Sequence, residues 1–251
     1  AGRHYRDALK RATDNARALR GLARLALARG AHEKALERID LAIAKAPRDV
    51  DNWLLKGDIE LAAVEPALAE TSYRAAIGLN PFRLSAPIGR SRALLMQGET
   101  ELAERQIKSL AELAPGQAWT HYLRGALAQQ RGQADAAIDA CHQALKIDDQ
   151  HAPSQLLLGE LLEAAGQYEQ AGELLSRYHA TNPQDARGAH AHARVQMALG
   201  APDQALTALA GVARAAAAEP DMMALLGMAY LDTGATAPAT DIQAQFTTAA
   251  H

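Results

Sequence analysis

Small and apolar residues return along this chain at a fixed interval of 34 positions. Alanine stands at Ala35, Ala69, Ala103, Ala137, Ala171, Ala205 and Ala239. A larger apolar column runs four residues behind it, through Tyr5, Ile39, Tyr73, Ile107, Cys141, Leu175 and Leu209. Glycines at Gly30, Gly98, Gly132, Gly166, Gly200 and Gly234 keep the same interval, and Val64 fills the one missing place. A further small-residue series passes through Ala23, Gly57, Ser91, Gly125, Gly159, Ala193 and Gly227. Prolines fall at Pro47, Pro81, Pro115 and Pro183, with Asp149 and Ala217 in the same phase. An alanine-rich chain of random order does not hold five such series in register. The pattern predicts repeated units, each made of a helix A, a turn, a helix B and a second turn.

Each marker has a physical task. Glycine at the fifteenth place of a unit ends helix A, where a left-handed backbone is cheapest for a residue without Cβ. Val64 at that place should use a different turn or bear strain. Small residues at the eighth and twentieth places bring the two helices of a unit together. Alanine at the twenty-seventh, as in Ala42, Ala76 and Ala144, does the same toward the next unit. Proline at the thirty-second place stops helix B. A helix A of ~14 residues would be about 21 Å long.

Composition narrows the picture further. Of 251 residues 49% are hydrophobic and only 4% aromatic, so the core must be built mainly from alanine and leucine, which suit closely approaching helices. Lys+Arg is 26 against Asp+Glu 29, without the basic excess of a nucleic-acid binder. The single Cys141 excludes an internal disulfide framework, and its place in the apolar column reads as a buried small hydrophobe. No run of about 18 apolar residues predicts a transmembrane segment.

The 34-residue period and its markers resemble the tetratricopeptide repeat, over essentially the whole chain. Trp53, Gly57, Ala69, Tyr73, Ala76 and Pro81 carry that pattern most fully. The resemblance implies an all-α fold, a right-handed superhelical solenoid of antiparallel helix pairs. The expected units are 16–49, 50–83, 84–117, 118–151, 152–185 and 186–219, with a degenerate or truncated unit over 220–251. Ala1, Tyr5 and Ala8 match the twentieth, twenty-fourth and twenty-seventh places of a preceding unit. Residues 1–15 are therefore expected to be the helix B and turn of a truncated repeat, and the chain a window onto a longer array. A signal peptide or lipid anchor would lie outside it.

In this family helix A lines the concave surface, which implies a protein or peptide partner held there. The family's ligand-facing places nominate Arg20, Arg24, Asp58, Arg92, Trp119, Tyr122, Arg187, His190 and Arg194. Arg187, His190 and Arg194 share one helical face, and with Arg92 could grip carboxylates through paired hydrogen bonds. The alternative is that these arginines are solvated or pair with acids of adjacent units. Trp119 and Tyr122 form an aromatic pair, open to roles as a partner anchor or as local packing. The fifth and ninth places do not repeat Lys and Asn, which argues against the carboxylate-clamp class that holds chaperone tails.

Chemistry for catalysis is not evident. His190 and His192 are two apart, on different sides of a helix. There is no His-Glu-x-x-His run or paired-cysteine site, so no metal, cofactor or enzymatic activity is expected. The run from His121 to Pro183, with MALGAPDQALTALAG and LLGMAYLDTGATAPAT after it, resembles the large repeat lipoproteins of bacterial PEP-CTERM/exosortase systems, the PrsT family. That resemblance implies an interaction scaffold in exopolysaccharide biosynthesis and export, in the periplasm or at the inner face of the outer membrane. Two alternatives stay open: a cytoplasmic or other bacterial repeat adaptor, and the non-catalytic arm of a larger enzyme such as a glycosyltransferase.

Overall fold

The computed structural model describes residues 15–212 and 220–234. Residues 1–14 of the truncated repeat expected over 1–15, the segment 213–219 and the end of the chain from 235, with Ala239, lie outside the described residues. Among the described residues the chain forms thirteen α-helices. They are α1 (Ala16–Leu27), α2 (His32–Lys45), α3 (Val50–Ala62), α4 (Pro66–Leu79), α5 (Ser85–Met96), α6 (Thr100–Leu113) and α7 (Ala118–Gln130). There follow α8 (Ala134–Ile147), α9 (Ala152–Ala164), α10 (Tyr168–Thr181), α11 (Ala186–Ala198), α12 (Pro202–Ala210) and α13 (Pro220–Asp232). Odd-numbered helices are helices A and even-numbered ones helices B. The chain divides into two compact units, residues 1–133 and 134–251; the first holds α1–α7 and the second α8–α13.

Local chemistry sets the helix ends. Asn15, Asp49 and Asp185 cap α1, α3 and α11 by accepting from Ala18, Asp51 and Gly188 N–H groups, each satisfying one orphan donor. Pro66 and Pro202 open α4 and α12, where a missing N–H costs nothing. Helices A run for 12 or 13 residues, because the closing residues are drawn into the turn. At the end of α5, Gly98 N–H donates to Leu95 O at 3.0 Å and Glu99 N–H to Leu94 O at 3.0 Å. This is the Schellman arrangement, which needs a left-handed residue; Gly98 has φ +74°.

Val64 adopts the same turn. Its φ is 60°, among the described residues the only positive φ outside glycine. Val64 N–H donates to Leu61 O at 3.1 Å and Glu65 N–H to Glu60 O at 2.8 Å. The hydrogen-bond pattern has thus overridden the preference of a β-branched side chain, at roughly 1–2 kcal/mol. Val64 is 73% exposed, so its side chain returns little burial. Val64→Gly is expected to stabilise the chain by about 0.5–1 kcal/mol, after subtracting glycine's extra freedom in the unfolded state. Urea unfolding measures this, and a variant no more stable than the parent would refute the strain.

Packing follows the predicted columns. Ala35, Ala69, Ala103, Ala137, Ala171 and Ala205 are wholly buried, as are Ile39, Tyr73, Cys141, Leu175 and Leu209 behind them. Burial pushes the Cys141 thiol up to about 12, so it stays protonated and inert. Helix α2 buries only Ala35, Ile39 and Ala42, whereas α3 buries seven residues along its length. The reason is that a helix A packs on its own helix B, on the preceding helix B and on neighbouring helices A. Contacts between helices A join α1 to α3, α3 to α5 and α5 to α7 in the first unit, and α9 to α11 and α11 to α13 in the second. Within each unit helices A therefore form the more crowded layer.

Candidate functional site

The helix-A side of the first unit carries most of the nominated residues, and the structure gives them different tasks. Arg20 turns into the joint between consecutive repeats. Its Nη1 donates to Asp49 Oδ2 at 2.5 Å and to Asn52 Oδ1 at 3.0 Å. The Asn52 amide donates onward to Ala42 O and Ala46 O, both at 3.3 Å. A half-buried guanidinium thus ties the first helix pair to the second, and its charge is met inside the chain. Arg24 is exposed one turn further along α1.

Asp58 is exposed on α3, yet it is anchored from within. The Tyr73 hydroxyl donates to its Oδ1 at 2.7 Å. Burial, then the adjacent Asp58 charge, push the Tyr73 hydroxyl far above its ordinary value, so it remains a donor. Sequence reasoning placed Tyr73 in the core and missed this second role. The available signal was a tyrosine in a column of Ile, Leu and Cys, since a buried hydroxyl needs a partner.

Arg92, Trp119 and Tyr122 come together. The Arg92 guanidinium carbon lies 5.8 Å from the centre of the Trp119 ring. Trp119 and Tyr122 meet edge to face, with ring centres 5.6 Å apart at 88°. Both rings are half-buried, and Tyr122 also packs on the core of α5–α7. Trp119 therefore combines local packing with a contact to an exposed arginine. The ring face attracts the guanidinium charge, a cation–π contact. Among the described residues no carboxylate forms an ion pair with Arg92.

The second unit differs. Arg187 on α11 meets Glu160 on α9 as a fork, Nε to Oε1 at 2.7 Å and Nη2 to Oε2 at 2.6 Å. Arg194 Nη2 pairs with Glu163 Oε2 through a single contact. His190 lies half-buried on the same helix. The carboxylates gripped by these arginines thus belong to the preceding helix A. Arg92 is not part of that group; its partner is Trp119 in the first unit. Exposed pairs of this kind contribute ~0–1 kcal/mol each, and these two bridge α9 and α11.

On the helix-B side of the second unit, a groove of about 540 Å³ opens between α8 and α10. Leu158 and Leu162 of α9 line it, with Lys146, Glu173 and Arg177 among its polar residues. Among the described residues no set of three or more His, Cys, Asp or Glu side chains is placed to hold a metal ion. No helix among them is long and apolar enough to cross a membrane.

Comparison with known proteins bears on the fold and the family. No curated protein matches the chain. Among solved structures, the APC/C hetero-tetramer Cut9–Hcn1 is similar with TM-score 0.72 and 18% identity, covering 90% of this chain and 45% of that one. The chain thus spans under half the length of that neighbour. A thermophilic tetratricopeptide repeat protein of Thermus thermophilus is similar with TM-score 0.63 and 20% identity, covering 73% of this chain and 98% of that one. YrrB, described as a tetratricopeptide repeat protein with an unusual peptide-binding site, has TM-score 0.50 and 17% identity, covering 76% of this chain and 98% of its own. Sequence models of the tetratricopeptide repeat match residues 1–59 and 128–195, and residues 54–118. With helix pairs, left-handed turns and alanine columns in that pattern, the chain belongs to the tetratricopeptide repeat family.

Proposed function

We propose that this chain is a non-catalytic scaffold that holds a protein or peptide partner on its helix-A side, with Arg92, Trp119 and Tyr122 at the centre of the contact. The observation that carries this is the exposed guanidinium stacked on a half-buried aromatic pair. Such a cluster offers a partner two things at once. The ring faces take an apolar side chain at little entropic cost, and the arginine fork takes a carboxylate. Arg24 and Asp58 flank the cluster on the preceding helices A. YrrB, of the same fold, is described as having a peptide-binding site, which supports the class of ligand.

We extend the proposal to setting. The resemblance of residues 121–183 to repeat lipoproteins of exosortase systems supports a bacterial envelope exopolysaccharide apparatus, with the protein in the periplasm or at the inner face of the outer membrane. A lipid anchor would then be carried outside this chain.

The site is tested with a peptide selected for binding from a random display library. Trp119→Ala and Tyr122→Ala are each expected to weaken it about tenfold or more, the loss of a binding hot spot. Far-ultraviolet dichroism should show unchanged helicity. Affinity that does not move would remove the aromatic pair from the site. For the setting, cross-linking and purification of the full-length protein is expected to recover polysaccharide-export components; recovery of cytoplasmic proteins alone would overturn the envelope assignment.

A further inference from the structure

Two histidines that the partner site does not use face each other in the second unit. His179 on α10 and His192 on α11 have ring centres 5.6 Å apart, inclined at 47°. His192 is only 9% exposed. The Nδ1 atoms of both rings are buried and lack a hydrogen-bond partner. The Gln196 amide nitrogen lies 3.1 Å from His192 Nε2, where an amide N–H donates to an unprotonated ring nitrogen. Buried polar atoms are nearly always paired, so two orphans on facing rings call for an explanation.

Charge makes the arrangement worse. An imidazolium carries a donor on each nitrogen. On His192 the neutral ring whose Nε2 accepts from Gln196 already carries a buried Nδ1–H without an acceptor; a second proton, on Nε2, would point at the Gln196 amide N–H, and that amide would have to turn over to accept it. A proton on each ring would set two like charges against each other across the α10–α11 packing. No nearby acid relieves this. Glu160 and Glu163 on α9 are held by Arg187 and Arg194, and Glu173 on α10 by Arg177. Asp185, in the connecting turn, accepts from the Tyr178 hydroxyl and Gly188 N–H. Asp203 on α12, and Asp221 and Asp232 on α13, do not act on His192; His151 caps α9 beside Ser154. Burial first, and His179 second, hold His192 below the ordinary histidine value.

We propose that the His179–His192 contact is a proton-operated joint, closed when His192 is neutral and opened by its protonation, which loosens α10 from α11 within the second unit. Repeat arrays derive their stability from contacts between neighbours. Opening this contact would loosen α11 from α10, leaving the α9–α11 ion pairs in place while each helix keeps its own hydrogen bonds. The sign follows from linkage. The open form binds a proton near pH 6.5 and the closed form does so only at lower pH, so closure weakens as pH falls below about 6.5.

Hydrogen exchange on the intact chain, expressed as protection factors, tests the joint. Between pH 6.5 and 5.5 the opening constant of the 168–198 segment should rise about fivefold as His192 takes up a proton. Protection of 50–113 should hold. His192→Phe keeps a ring without a titrating group and should abolish the rise, leaving His121 and His151 in place. If it folds poorly at pH 7.5, His192→Gln serves the same purpose. Flat protection in the parent chain, or the full rise in a folded His192 variant, would overturn the proposal. So would an NMR titration in which His192 protonates at or above the ordinary value.

Discussion

Alanine in place of Tyr73 is expected to lower the unfolding free energy by about 3–5 kcal/mol, the range for deleting a buried aromatic ring. The ring is wholly buried and is gripped from two helices. A Cβ at Gly57 on α3 would stand 2.7 Å from its Cε1, and one at Gly89 on α5 would stand 2.4 Å away. Tyr73 thus fills the space that two glycines leave open, and it joins its own repeat to the next. The void left by alanine has helix backbone for walls, which relaxes poorly. Tyr73→Phe separates packing from polarity. It keeps the ring and loses only the bond to Asp58, an effect of about 1 kcal/mol because exposed Asp58 regains water. Urea unfolding followed by circular dichroism distinguishes them. Equal losses in the two variants would mean that the hydroxyl, not the ring, secures the joint. Gly89→Ala should be harmful in the parent and tolerated beside Tyr73→Ala, since the clash then has no object.

The second large effect is expected at Gly188, the third residue of α11. Alanine normally stabilises a helical glycine position by up to ~1 kcal/mol. Here its Cβ would lie 2.2 Å from Tyr178 Cε1 and 2.9 Å from Asp185 Oδ2. Two features would fail together. Tyr178, buried at the end of α10, must leave its place, which costs about 1–3 kcal/mol for a strained repacking. Asp185 accepts from both Gly188 N–H at 2.8 Å and the Tyr178 hydroxyl at 2.9 Å, so displacing it also costs the helix cap, about 1 kcal/mol. The net expectation for Gly188→Ala is a loss of roughly 2–3 kcal/mol. It is measurable as a lower urea midpoint with unchanged slope. A midpoint equal to or above the parent's would show that Tyr178 has room to move.

Much of the fold was legible because it rests on local signals. The described alanines of the 34-residue column are wholly buried, and six glycines take the left-handed turn at the ends of helices A. Val64 shows where local reasoning stops. Two outcomes were open, and the Schellman bonds to Leu61 and Glu60 chose the strained one. The candidate site was less legible. Arg92, Arg187 and Arg194 look alike in sequence, yet one stacks on Trp119 and two meet glutamates. Tyr73 looked like core alone, and its hydroxyl reaches Asp58 at the surface.

The sequence by itself determined that this protein is a stack of helix pairs with small-residue seams, because period, turn and packing column act over a few residues and repeat. Only the tertiary structure decided which side chains meet: Arg20 with Asp49, Arg92 with Trp119, Arg187 with Glu160, His179 with His192. Those partners lie 13 to 29 positions apart in the chain. Their meeting depends on how far one helix slides along the next and on which rotamers the seam leaves open. Neither quantity is written in the local pattern of either residue.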